Sequence, residues 1–131
     1  MSFELHSRLA ADTEFVCDWP LCRVLLMNDS RYFWLILVPR RDSLTEITDL
    51  SAEERAALME ETARAGRIIK SAGAAKLNIA ALGNQVPQLH MHVIGRAPGD
   101  AAWPNPVWGR GEAEAYDPAR KARRLGLVRS G

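Results

Sequence analysis

The chain has 131 residues, 47% of them hydrophobic and 25% charged, a size and composition that fit one compact domain and leave no room for two separate cores. Lys and Arg total 17 against 16 Asp and Glu, a formal net charge of +1, so the overall charge calls for neither nucleic acid nor an anionic membrane as partner. The first residues lack a continuous apolar stretch of signal-peptide type, and no later run reaches bilayer length; the expectation is a soluble, cytoplasmic protein without a membrane role.

In chain order, Leu5 and Leu9 share one helical face and predict a short helix over 3–11, followed by a short strand over 14–18 before the Trp19-Pro20 turn. Cys17 and Cys22 are too few for a disulfide framework, lack further zinc ligands in a standard spacing, and are read as small buried side chains. Residues 23–28 and 32–38 are rich in β-formers and flank the turn-like Asp29-Ser30-Arg31, which predicts an antiparallel hairpin. Ser51 and Glu54 form a capping-box pair, so a long helix starts there. Leu58, Thr62, Ala65, Ile69 and Ala72 make its apolar stripe, Glu60 and Arg64 pair on the outer surface, and Gly73 stops it.

Two more strands, 77–81 and 88–94, follow with Gly83-Asn84-Gln85 as their connection. The sum, hairpin, helix, hairpin, predicts an α+β fold: a small antiparallel sheet with one long helix and short flanking helices. Residues 97–131 form an irregular, Pro-, Gly- and Trp-rich tail of the same single domain, 1–131. Within it Asp117-Pro118 predicts a helix start, and Arg120, Lys121, Arg123 and Arg124 are read as its solvated basic face.

The chemistry lies in 88–94. Alternate side chains of a strand point to opposite faces, so Leu89, Met91 and Val93 form an apolar row for the long helix to bury, while Gln88, His90 and His92 line the other wall. A neutral imidazole is a nucleophile near physiological pH once its other ring nitrogen is engaged in a hydrogen bond. His90, at the centre, is placed to attack. His92, roughly 7 Å along the strand, can hydrogen-bond a phosphate oxygen. Gln88 donates and accepts hydrogen bonds but does not titrate. Gly83-Asn84-Gln85 supplies a mobile backbone and two amides that can direct N–H groups at phosphate oxygens.

The run from Gly83 to Arg96, with histidines alternating with apolar residues, resembles the signature of the histidine triad nucleotide hydrolases and transferases. The resemblance extends over 22–96. It implies that His90 attacks an α-phosphate and carries the nucleotidyl group and that His92 contacts the phosphate. It further implies that Asn28 and, more weakly, Asn78 contact the nucleoside, while Gly83, Asn84 and Gln85 form the phosphate loop. The implied protein is a homodimer acting on a dinucleoside polyphosphate or related nucleotide conjugate, in the manner of diadenosine tetraphosphate hydrolases, with no cofactor or metal. Gln88 departs from the pattern, standing where the first histidine of the triad would be. A carboxamide there keeps a hydrogen-bond network but supplies no acid or base.

Two rival readings stay open: a nucleotide-binding module that has lost turnover through Gln88, and a metal site on His90 and His92. Arg96, just past the strand, is read as solvated and outside the site; His6 is read as an exposed helix residue. Trp103 and Trp108 either stack on a base or pack.

Overall fold

The computed structural model describes residues 3–131. Its strands are β1 (Thr13–Asp18), β2 (Cys22–Met27), β3 (Trp34–Pro39), β4 (Lys76–Ala80) and β5 (Met91–Arg96), all paired antiparallel in the order β1-β2-β3-β5-β4. The helices are α1 (Ser7–Asp12), α2 (Ala52–Ser71) and α3 (Pro118–Ser130). This is the α+β arrangement expected.

Sheet order follows from α2. After β3 the chain crosses one face of the sheet as α2 and returns at the far edge as β4, so β5 must run back between β4 and β3. β5 therefore pairs on both sides. Trp34 and Ile36 of β3 stand opposite Ile94 and His92, and Ala80 of β4 also stands opposite His92.

The α2-facing side of the sheet is apolar. Leu58, Ala65, Ile68 and Ile69 pack on Val24, Leu26, Leu35, Leu37, Met91 and Val93. Gly95 permits this approach, because a Cβ there would lie 2.6 Å from Cγ2 of Ile69 and 3.0 Å from Cβ of Ala74. Glu61 is 7% exposed; its carboxylate accepts the N–H groups of Leu21 and Cys22 at 2.8 and 2.9 Å, tying α2 to the β1–β2 turn. Cys22 is buried, and burial, with Glu61 adding to it, pushes its thiol far up.

The opposite face holds Leu9, Leu25, Trp34, Ile36, Ile94 and Val107. No described helix is long and apolar enough to cross a membrane.

Several local expectations shift. α1 begins at Ser7 rather than at residue 3, because the His6 ring caps it by accepting the N–H of Arg8 at 3.0 Å. The Ser51–Glu54 capping box and the Gly73 stop both form, with Gly73 at φ 112°. Ala72 is exposed at the helix end, its place in the buried stripe taken by Ile68. Arg64 turns away from Glu60, donating to the Gly131 carbonyl at 2.6 Å and lying 4.2 Å from the centre of the Trp19 ring. Asp117 caps α3 through the N–H of Arg120 at 3.0 Å, with Pro118 in the first turn, as read from the sequence.

Candidate active site

β5 begins at Met91, so Gln88, Leu89 and His90 precede the ladder rather than lie in it. The alternation survives because Leu89 is pinned to the other side, its N–H bonded to the Leu44 carbonyl at 2.9 Å and its side chain in the α2-side core. His90 and His92 consequently share one wall, with ring centroids 4.9 Å apart and planes at 69°. They are 6% and 5% exposed.

Their hydrogen bonds assign the two rings different tautomers. His90 Nδ1 lies 2.7 Å from the Gln88 carbonyl, which only accepts, so Nδ1 carries a proton and, in the neutral ring, Nε2 holds the free lone pair. His92 Nδ1 accepts the indole N–H of Trp34 at 3.0 Å, so its proton sits on Nε2. Burial, with the neighbouring His90 second, holds His92 down to about 3, and the ring is neutral at physiological pH. The wall thus offers one nucleophilic nitrogen and one N–H donor.

Both histidines line a cleft of about 360 Å³. α1 contributes Leu9, β2 Met27 and β3 Ile36, while Leu82 to Val86 close one side and Trp108 another. Trp108 is 37% exposed and meets the His92 ring edge-on at 5.0 Å, giving the cleft an aromatic surface. Arg8 and Asp12 are the charged lining groups among the described residues, and they face each other at 3.7 Å. His90 also lines a smaller cavity of about 150 Å³ beside Thr45, Glu46 and Thr48.

The structure brings Gly83, Asn84, Gln85, His90 and His92 to this cleft. Gly83 adopts φ 76°, the left-handed region a glycine tolerates, which turns the loop toward the histidines. Asn84 and Gln85 are exposed, and Val86 anchors the loop in the core. Asn28 is exposed and stands beside Met27; its N–H binds the Asp12 carbonyl at 3.0 Å, placing it next to two lining residues.

Gln88 reaches His90 through its backbone carbonyl. Its carboxamide is spent elsewhere, accepting the N–H of His6 at 2.8 Å and donating to the Glu4 carbonyl at 2.8 Å. Asn78 does not line the cleft; its side-chain oxygen accepts from Arg96 at 2.7 Å. Arg96 itself is 2% exposed rather than solvated, held in a two-armed pair with Asp100 at 2.8 and 2.9 Å. Trp103 lies beside that guanidinium, 5.7 Å from ring centre to Cζ.

Trp34, Met27 and Ile36 were not singled out from the sequence. Alternation within β3 puts Trp34 and Ile36 on one face, but only the pairing with β5 makes that face the histidine face.

The fold has counterparts among solved structures. Three solved structures of histidine triad proteins superpose on the chain. The one from Bradyrhizobium japonicum is 47% identical with a TM-score of 0.97, covering 99% of this chain and 98% of that one. The one from Sinorhizobium meliloti 1021 is 43% identical with a TM-score of 0.94, covering 98% and 96%. The one from Marinobacter aquaeolei VT8 is 43% identical with a TM-score of 0.94, covering 99% and 96%. No curated protein matches. The family model described as the HIT domain matches residues 8–99, most of the chain and all of the histidine wall, and the chain belongs to the HIT domain family.

Proposed function

We propose that the protein is a nucleotide hydrolase that cleaves a dinucleoside polyphosphate or related nucleotide conjugate at the α-phosphate through a nucleotidyl-His90 intermediate. HIT family proteins are commonly nucleotide hydrolases or transferases. The observation that carries the reading is the pair of opposite tautomers, a bare Nε2 on His90 beside an Nε2–H on His92. His90 Nε2 attacks phosphorus, a P–N bond forms, and the bond to the leaving group breaks. The positive charge that develops on the His90 ring is met by the Gln88 carbonyl at Nδ1–H. His92 Nε2–H donates to a non-bridging oxygen, joined by N–H groups of the Gly83-Asn84-Gln85 loop. Water then breaks the P–N bond, releasing the nucleoside monophosphate and a proton.

Asn28 is assigned to the ribose and Trp108 to the face of the base; Asn78, bonded to Arg96 away from the cleft, takes no part in binding. With a single, paired arginine in the lining, phosphate binding falls to N–H dipoles rather than to a cation cluster. One observation favours a second reading, a nucleotide-binding module without turnover: the Gln88 carboxamide is clamped to the N-terminal segment and offers no proton to a leaving group.

The same reading takes 1–131 as one domain with 97–131 as its tail, acting in the cytoplasm on small nucleotides rather than nucleic acid. It also takes the protein as a homodimer, supported by exposed apolar Met59 on α2 and Ile79 on the edge strand β4, at 61% and 50% exposure. Sedimentation giving a monomer at micromolar concentration sinks the dimer.

Intact mass spectrometry after brief mixing with diadenosine tetraphosphate or an adenosine phosphoramidate tests the chemistry. The expected result is an AMP-sized adduct and AMP release in the wild type and neither in His90→Ala. Nucleotide binding by both proteins without reaction returns the binding-module reading.

A further inference from the structure

We propose that a second anion site, for a small ligand carrying two or more linked phosphate groups, lies at the end of the sheet away from His90. A cavity of about 360 Å³ opens there between α3, the chain leading into β3 and the end of α2. Among the described residues it shares no lining residue with the His90–His92 cleft. Arg96 lines it, four residues beyond His92 on the same face of β5, a separation of roughly 13 Å along the strand.

Five guanidinium groups line this cavity, those of Arg31, Arg96, Arg120, Arg123 and Arg124, against a single lining carboxylate, Asp100. Arg31 is neutralised by Asp29 at 2.9 Å and Arg96 by Asp100. The other three are not. Arg124 donates only to neutral acceptors, the Ser30 carbonyl at 3.4 Å, the Tyr32 carbonyl at 2.8 Å and the Tyr116 hydroxyl at 2.7 Å. Arg120 and Arg123 form no side-chain hydrogen bond or salt bridge with the described residues. Asp117, the N-cap of α3, accepts the Arg120 N–H and feels the charges of Arg120 and Arg123 without forming a salt bridge to either.

The placement of these three arginines is unfavourable in the empty protein. Arg120 occupies the first turn of α3, where the helix dipole disfavours a cation and which itself holds no acidic residue. The spacing of the three, three and four residues, stacks like charges on one face, and that face borders the cavity. A bound polyanion relieves both penalties. Tyr32 also lines the cavity, and its backbone carbonyl fixes the Arg124 guanidinium at 2.8 Å. The bounded volume, with Asp29 and Asp100 at its edge, suits a compact oligophosphate rather than an extended nucleic-acid backbone.

This site is independent of the proposed hydrolysis, and its test reads binding alone. Calorimetric titration of the full chain with inorganic tripolyphosphate, at low and moderate salt, is run on the wild type, Arg120→Glu/Arg123→Glu, Tyr32→Phe and His90→Ala. The expected result is one saturable, salt-sensitive site whose affinity falls by about tenfold or more in the arginine variant. Tyr32→Phe, which keeps the backbone carbonyl that holds Arg124, and His90→Ala both leave it unchanged. Both arginines are exposed, so circular dichroism should show the variant folded. The proposal is overturned if the wild type does not saturate or if the arginine variant binds as well as the wild type. It is equally overturned if His90→Ala abolishes binding, or if a single-stranded RNA oligonucleotide occupies the same arginines more tightly than tripolyphosphate.

Discussion

Replacing Trp34 with Phe removes the indole N–H that His92 Nδ1 accepts at 3.0 Å while keeping an aromatic ring in β3. Trp34 and His92 are 4% and 5% exposed, so the bared nitrogen faces protein rather than bulk water. An unsatisfied buried acceptor costs about 1–3 kcal/mol. Underpacking by the smaller ring, which loses edge contacts to Tyr32 at 6.3 Å and Trp108 at 5.9 Å, adds about 1 kcal/mol. The total is about 2–4 kcal/mol, a large share of the about 5–15 kcal/mol that holds a typical domain. Urea unfolding reads it directly. The kinetic consequence is separate: without its partner the His92 ring is free to turn, and its Nε2–H no longer points steadily at a phosphate oxygen. Loss of an oriented donor costs about a hundredfold in the chemical step when complete, so single-turnover AMP release should slow by about tenfold or more, with KM less affected. Heteronuclear NMR of the His92 ring nitrogens supplies a readout that packing alone does not move, since Nδ1 loses its donor. A variant with wild-type ring-nitrogen shifts and AMP release within about twofold of wild type refutes the assignment of Trp34 as the group that orients His92.

Acid should destabilise the protein through His92 and Asp100. His92 sits at about 3 in the fold and near the usual 6.5 when unfolded, so below that value the unfolded state binds the proton first. Stability then falls by up to about 1.4 kcal/mol per pH unit from about 6.5 toward 3. Asp100, held at about 2 chiefly by Arg96, contributes stability above its usual 3.8 that is lost as pH falls toward 2. Urea midpoints at pH 7 and pH 5 should therefore separate more for wild type than for His92→Asn; equal separations remove His92 as the cause. Gln88→Ala should speed amide exchange over residues 4–8 while leaving AMP release within about tenfold, because the carbonyl that holds His90 belongs to the backbone; a collapse of activity would show that the carboxamide itself takes part. Gly95→Ala should lower thermal stability by about 1–3 kcal/mol, since its Cβ meets Ile69 at 2.6 Å and Ala74 at 3.0 Å, and an unchanged melting temperature would mean that α2 shifts freely.

The features legible in the sequence are those whose causes lie within a few residues. Ser51 and Glu54 satisfy each other's backbone N–H groups, and Asp117 caps the N–H of Arg120, so α2 and α3 start where their capping residues stand. The alternation of Leu89, Met91 and Val93 with His90 and His92 is visible in the sequence, and the two histidines do share a wall, although Leu89 keeps its side only through its bond to the distant Leu44 carbonyl. The tertiary structure decided what surrounds them. Trp34 is 58 residues from His92 in the chain, and only the β3–β5 register makes it the donor that fixes the His92 tautomer. Gln88, polar and in phase with the histidines, has its carboxamide drawn away by His6 and Glu4, more than 80 residues distant. Arg96 reads as solvated in isolation, yet Asp100 and Asn78 bury it. Periodicity and capping are written in neighbouring residues. Which polar groups satisfy one another across the sheet depends on strand pairing, and a hydrogen-bond partner that arrives through pairing leaves no trace in the local sequence.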